Sequence, residues 1–168
     1  MGAGHYVRHL AGSGWASYIL RCMAYAYEID VERQLVIVVF SADANLAEAE
    51  AVMTKVHADP RHSLRFSRVY DCRAVTRLPP LSELRGVAEL FRRRVDPTIE
   101  ARRAIVARGG APYGLGRMLQ TLLDLIGLEL HVFTDLDEAI AWATGEVPSG
   151  SGTGDSGGAH DSRLGRER

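Results

Sequence analysis

The chain predicts an α/β fold, a mixed and mostly parallel five-stranded sheet with helices packed on it, on three observations. Short apolar runs alternate with segments of helical period, two of those segments open with capping-box patterns, and only a short, largely polar connection joins the first two runs. A strand joined to the next by a helix runs parallel to it, whereas a short connection makes a hairpin. The predicted order is β-β-α-β-α-β-α-β-α, with the first strand antiparallel and right-handed crossovers after it.

Tyr25 to Ile29 alternates in hydropathy, Asp30 to Gln34 connects, and Leu35 to Phe40 is a continuous apolar run, as expected of a strand buried on both faces. Asn45-Leu46-Ala47-Glu48 has the form of a capping box, and Leu46, Ala49, Val52, Met53 and Val56 repeat at helical spacing until Asp59-Pro60. Leu64 to Tyr70 predicts the third strand. Pro79-Pro80 opens a helix with Leu84, Val87, Ala88 and Phe91 on one face, and Arg92-Arg93-Arg94 in its last turn complements the negative end of the dipole. Ala104 to Ala107 predicts a buried strand, and Gly109-Gly110 turns the chain into a helix over Tyr113 to Ile126. That helix turns Leu115, Met118, Leu119, Leu122 and Ile126 inward and ends at Gly127. Leu128 to Phe133 predicts the last strand. Asp135-Leu136-Asp137-Glu138 is a second capping box, opening a helix that buries Leu136, Ala139, Ile140 and Ala143 with Trp142 beside them.

A length of 168 residues suits one domain, expected over residues 24–144. Residues 1–23 carry no sustained period and read as a flexible leader or as a start placed too early, with Met23 the natural beginning. Residues 145–168, rich in Gly, Ser and Arg, read as a disordered tail. With 46% hydrophobic and 24% charged residues the composition is that of a globular protein, and a net charge of −1 supplies no field to gather nucleic acid. No apolar run approaches the roughly 18 residues of a membrane span, and Arg21 interrupts the short run Trp15 to Leu20, so a cytoplasmic location is expected. Cys22 and Cys72 lack CxxC spacing and read as reduced thiols. His57 and His62 are not at i, i+4 and read as solvated or capping residues, so no metal site is expected.

Three stretches carry a likeness to a known family: the strand ending Tyr70-Asp71-Cys72-Arg73-Ala74-Val75-Thr76, the run Ala104-Ile105-Val106-Ala107 followed by Tyr113-Gly114-Leu115-Gly116-Arg117-Met118, and Val132-Phe133-Thr134-Asp135-Leu136-Asp137-Glu138-Ala139-Ile140-Ala141-Trp142. In these the chain resembles the bacterial STAS-like family described as SpoIIAA-like or STAS/Sec-fourteen-like, over roughly Tyr25 to Thr144. The resemblance implies helices on a small sheet, no prosthetic group, and a role in protein interaction or ligand-gated regulation. Its best-known members, the anti-sigma-factor antagonists, are switched by phosphorylation of a serine after the third strand. Here Asp71-Cys72-Arg73-Ala74 stands in that place, so the serine is absent; Thr76 is the nearby hydroxyl, either a substitute phosphosite or a cap.

Loops at the carboxyl ends of parallel strands converge, which brings together Asp43 to Asn45, Asp71 to Thr76 and Arg108 to Arg117. Candidate binding residues for a small anionic ligand, a lipid or nucleotide, are Asp71, Arg73, Thr76, Arg108, Tyr113 and Arg117. The alternative is structural: Gly109-Gly110 as a plain turn, Gly114 and Gly116 as points of close helix approach, and Asp71 as a turn cap. Neither the P-loop nor the dinucleotide fingerprint occurs. Cys72 has Arg73 beside it but no base implied by sequence, and no catalytic constellation emerges. Two classes of function stand: a non-enzymatic regulatory module that binds a protein partner or a second copy of itself, and a carrier or sensor of a small anionic ligand.

Overall fold

The computed structural model describes residues 25–146, so the expected leader with Cys22 and the tail beyond Glu146 lie outside the described residues. The strands are β1 (Tyr25–Asp30), β2 (Leu35–Phe40), β3 (Ser67–Asp71), β4 (Arg103–Val106) and β5 (His131–Phe133). The helices are α1 (Leu46–Ala58), α2 (Leu81–Arg94), α3 (Ala111–Asp124) and α4 (Leu136–Thr144). The sheet order is β1-β2-β3-β4-β5, with β1 antiparallel to β2 and every later pair parallel, as predicted.

Because the parallel strands advance in one direction, right-handed crossovers place α1, α2 and α3 on the same face. One apolar cluster therefore joins those three helices to Val36, Val38, Tyr70 and Ile105, while α4 returns across the opposite face onto Leu35, Ile37, Val69 and Val106. The continuous apolar run of β2 reflects burial from both sides. In the hairpin, Asp30 Oδ1 accepts from the Arg33 amide at 2.9 Å and Gln34 takes a left-handed φ of 52°.

Helix starts follow the predicted chemistry. Asn45 Oδ1 accepts from the amides of Ala47 and Glu48 while Glu48 Oε2 accepts from the Asn45 amide, completing the box. Asp135 accepts from the Glu138 amide at 2.9 Å, without the return bond from Glu138, so the second expected box is only a side-chain cap. Three further expectations need correction. The third strand begins at Ser67, not Leu64, because Ser63 folds a turn that receives the amides of Arg65 and Phe66 and leaves Leu64 exposed. The fifth begins at His131, because left-handed Gly127 lets the Leu128 amide return to the Leu123 carbonyl and close α3. In α3 the buried positions are Gly116, Leu119 and Leu123; Met118 is exposed, because the helix is rotated to set Gly116 against Val132.

Candidate functional site

The loops at the carboxyl edge do meet. Thr76 donates from both its amide and its hydroxyl to the Ala42 carbonyl, Arg108 donates to the Val75 carbonyl at 2.8 Å, and the Cys72 amide donates to the Val106 carbonyl. These bonds tie the loops to one another. Of the other candidates, Arg117 donates to Gln120, and Tyr113 lies half-buried against the apolar core.

Strand alternation sends Asp71 and Cys72 to opposite faces. Asp71 falls on the Val69 face, toward α4, where its carboxylate accepts from the Arg73 amide, Nε and Nη2 at 3.0, 3.0 and 2.8 Å. That bond, with Asp135 and Asp137 nearby, holds the Arg73 guanidinium firmly charged. Cys72 falls on the opposite face, and burial, with a smaller contribution from Asp71, pushes its thiol up to about 12. Arg73 therefore does not activate it. Of the glycines, Gly110 (φ 78°) starts α3 and a Cβ at Gly116 would stand 2.9 Å from Val132 Cγ1, so both are structural; a Cβ at Gly114 would meet nothing.

What the edge holds is an apolar cavity of about 180 Å³ between the sheet and α1, α2 and α3. Tyr70, Cys72 and Ile105 form its floor, and Met53, Leu84 and Leu119 its walls. The small residues Ala49 and Ala107 are part of its lining. Exposed Leu78 and the Arg77–Glu83 ion pair mark its open side, Arg77 donating twice to Glu83 at 3.1 and 2.9 Å.

Compared with known proteins, the chain matches no family model, no curated protein and no solved structure.

A second polar cluster, unforeseen from sequence, lies one row toward the amino edge. Arg68 and Arg103 are register partners on β3 and β4, and each is only 3% exposed. Arg68 Nη2 contacts Nε2 of His62 at 2.9 Å and of His57 at 3.4 Å, while Arg103 Nε is buried without a partner. Neither arginine is paired with a carboxylate among the described residues. The histidines, expected to be solvated or capping, are half-buried with ring centroids 5.1 Å apart. Burial, then the Arg68 charge, lowers the pKa of both, that of His62 to about 4. Among the described residues, no group of three or more His, Cys, Asp or Glu is arranged to hold a metal, and no helix is long and apolar enough to cross a membrane.

Proposed function

We propose that this protein is a non-enzymatic module that holds a small, mainly apolar molecule in the carboxyl-edge cavity, acting as a sensor or carrier in the cytoplasm. The observation that carries this reading is the apolar cavity of about 180 Å³. Protein interiors leave few voids larger than a water molecule. An engineered apolar cavity of about 150 Å³ takes up benzene, whereas sites for drug-sized ligands run to about 300–1,000 Å³. Size and polarity thus favour a short chain or single ring over a nucleotide.

The inert Cys72 thiol supports a role without catalysis. The likeness to STAS-like domains supports a regulatory setting, in which occupancy of the cavity alters contact with a protein partner. Thermal shift and titration calorimetry with 1-octanol, on the native chain and on Ala107→Leu, test the reading. Saturable binding to the native protein is expected, and loss of that binding in the filled variant, which should itself melt higher. No saturable binding, or equal binding by both proteins, would refute it.

A further inference from the structure

We propose that the molecule held here is an amphipathic monocarboxylate, lying with its carboxylate inward against Arg68 and Arg103 and its tail toward Leu78. This rests on the cavity reading above and assigns the ligand its chemical class.

The β3–β4 register pairs Tyr70 with Ile105 and Arg68 with Arg103. Tyr70 and Ile105 floor the cavity, and same-face rows are two residues, about 6.6 Å, apart along a strand. The two guanidinium-bearing residues therefore occupy the next row beyond the cavity's inner end. Met53 and Tyr70 form the partition, since both also line a second void, of about 10 Å³, whose wall includes Arg68 and His57. That void has room for about one water-sized group, so a carboxylate head reaches Arg68 only with Met53 displaced, and a bulkier phosphate is disfavoured. Met53, unbranched and with three rotatable bonds, is suited to swing aside and admit it.

Charge points the same way. A buried charge without a counter-ion is costly, and here two arginines lie side by side with no carboxylate paired to either among the described residues. Arg68 rests on histidine nitrogens and Arg103 Nε has no partner. Glu129 acts on Arg103 only at a distance; it is exposed and pairs with His131. A carboxylate matches the guanidinium fork with two oxygens and supplies the missing charge. At the open side the polarity is reversed: Glu83 already neutralises Arg77, and Leu78 and Leu81 present apolar surface. Arg68 walls the small void behind Met53 and Tyr70, Arg103 is its register neighbour, and leucines stand at the mouth, an arrangement that fits a carboxylate bound head inward.

Titration calorimetry of the full chain with octanoate and with octanamide, its neutral counterpart of like shape, tests the proposal at pH 7.5 and fixed ionic strength. Octanoate is expected to bind at least about tenfold more tightly, the effect of one charge-assisted pair. Arg103→Met should abolish that preference and leave octanamide binding intact, while Arg77→Met should preserve it. Should Arg103→Met fail to fold, Arg77→Met decides the orientation: a preference kept there supports the inward head, and one lost there overturns it. Equal binding of the two compounds overturns the carboxylate and leaves the cavity reading standing; binding of neither overturns both. A preference lost in Arg77→Met and kept in Arg103→Met would place the charge at the mouth and overturn the inward orientation.

Discussion

His62 shows how one side chain couples the fold to pH. Its Nε2 faces the Arg68 guanidinium, with Asp59 the only opposing charge, so protonation in the folded state is suppressed to about 4. Unfolded, the ring titrates near the ordinary histidine value of about 6.5. Between these values the unfolded chain binds the proton first, so the contribution is complete above about 6.5 and is lost as pH falls toward 4. Solvent screening at this half-buried site reduces the magnitude to about 1 kcal/mol, or about 4 °C in Tm. Melting from pH 7.5 to 4.5 should therefore fall more steeply for the native protein than for His62→Gln, whose amide oxygen accepts from Arg68 without titrating. Parallel curves would contradict the assignment. Little of this was legible in the sequence, where the two histidines have no motif spacing. Their partner sits inside a strand, and its burial depends on the strand's neighbours.

At the scale of elements, α3 offers the sharpest contrast. Gly114 and Gly116 look alike in sequence, both small residues in one helix. A Cβ at Gly116 meets Val132 Cγ1 at 2.9 Å, whereas a Cβ at Gly114 meets open space. Gly116→Ala should therefore cost about 1–3 kcal/mol through overpacking, and Gly114→Ala should add about 0.5–1 kcal/mol by reducing the freedom of the unfolded chain. Denaturant unfolding of the pair, read at the midpoint, checks both signs. The same close approach explains why Met118 is exposed and Leu123 buried, contrary to the helical pattern: helical period defines a stripe, but the partner surface chooses which neighbouring stripe is covered. The segment after the third strand hides a similar distinction. Asp71 to Thr76 looks like one loop, yet alternation continues from the strand and sends Asp71 and Cys72 to opposite faces.

For the whole molecule, topology was legible because connection lengths and caps are local, and crossover handedness then decides which face each helix covers. The convergence of loops at the carboxyl edge followed from the same rule. The character of the edge did not: its arginines face carbonyls and side chains around them, while the cavity is lined by apolar and small residues such as Ala49 and Ala107, which carry no chemical signature. The Arg68–Arg103 pair depends on the register of two strands separated by α2, which no local pattern records. The central claim, that this edge is a binding site for apolar matter, is tested most directly by methyl-resolved NMR during titration with 1-octanol. Saturable shifts confined to methyls lining the cavity, among them Met53, Leu84, Ile105 and Leu119, are the predicted result. Shifts confined to exposed Met118 and Leu125, or none that saturate, would contradict it.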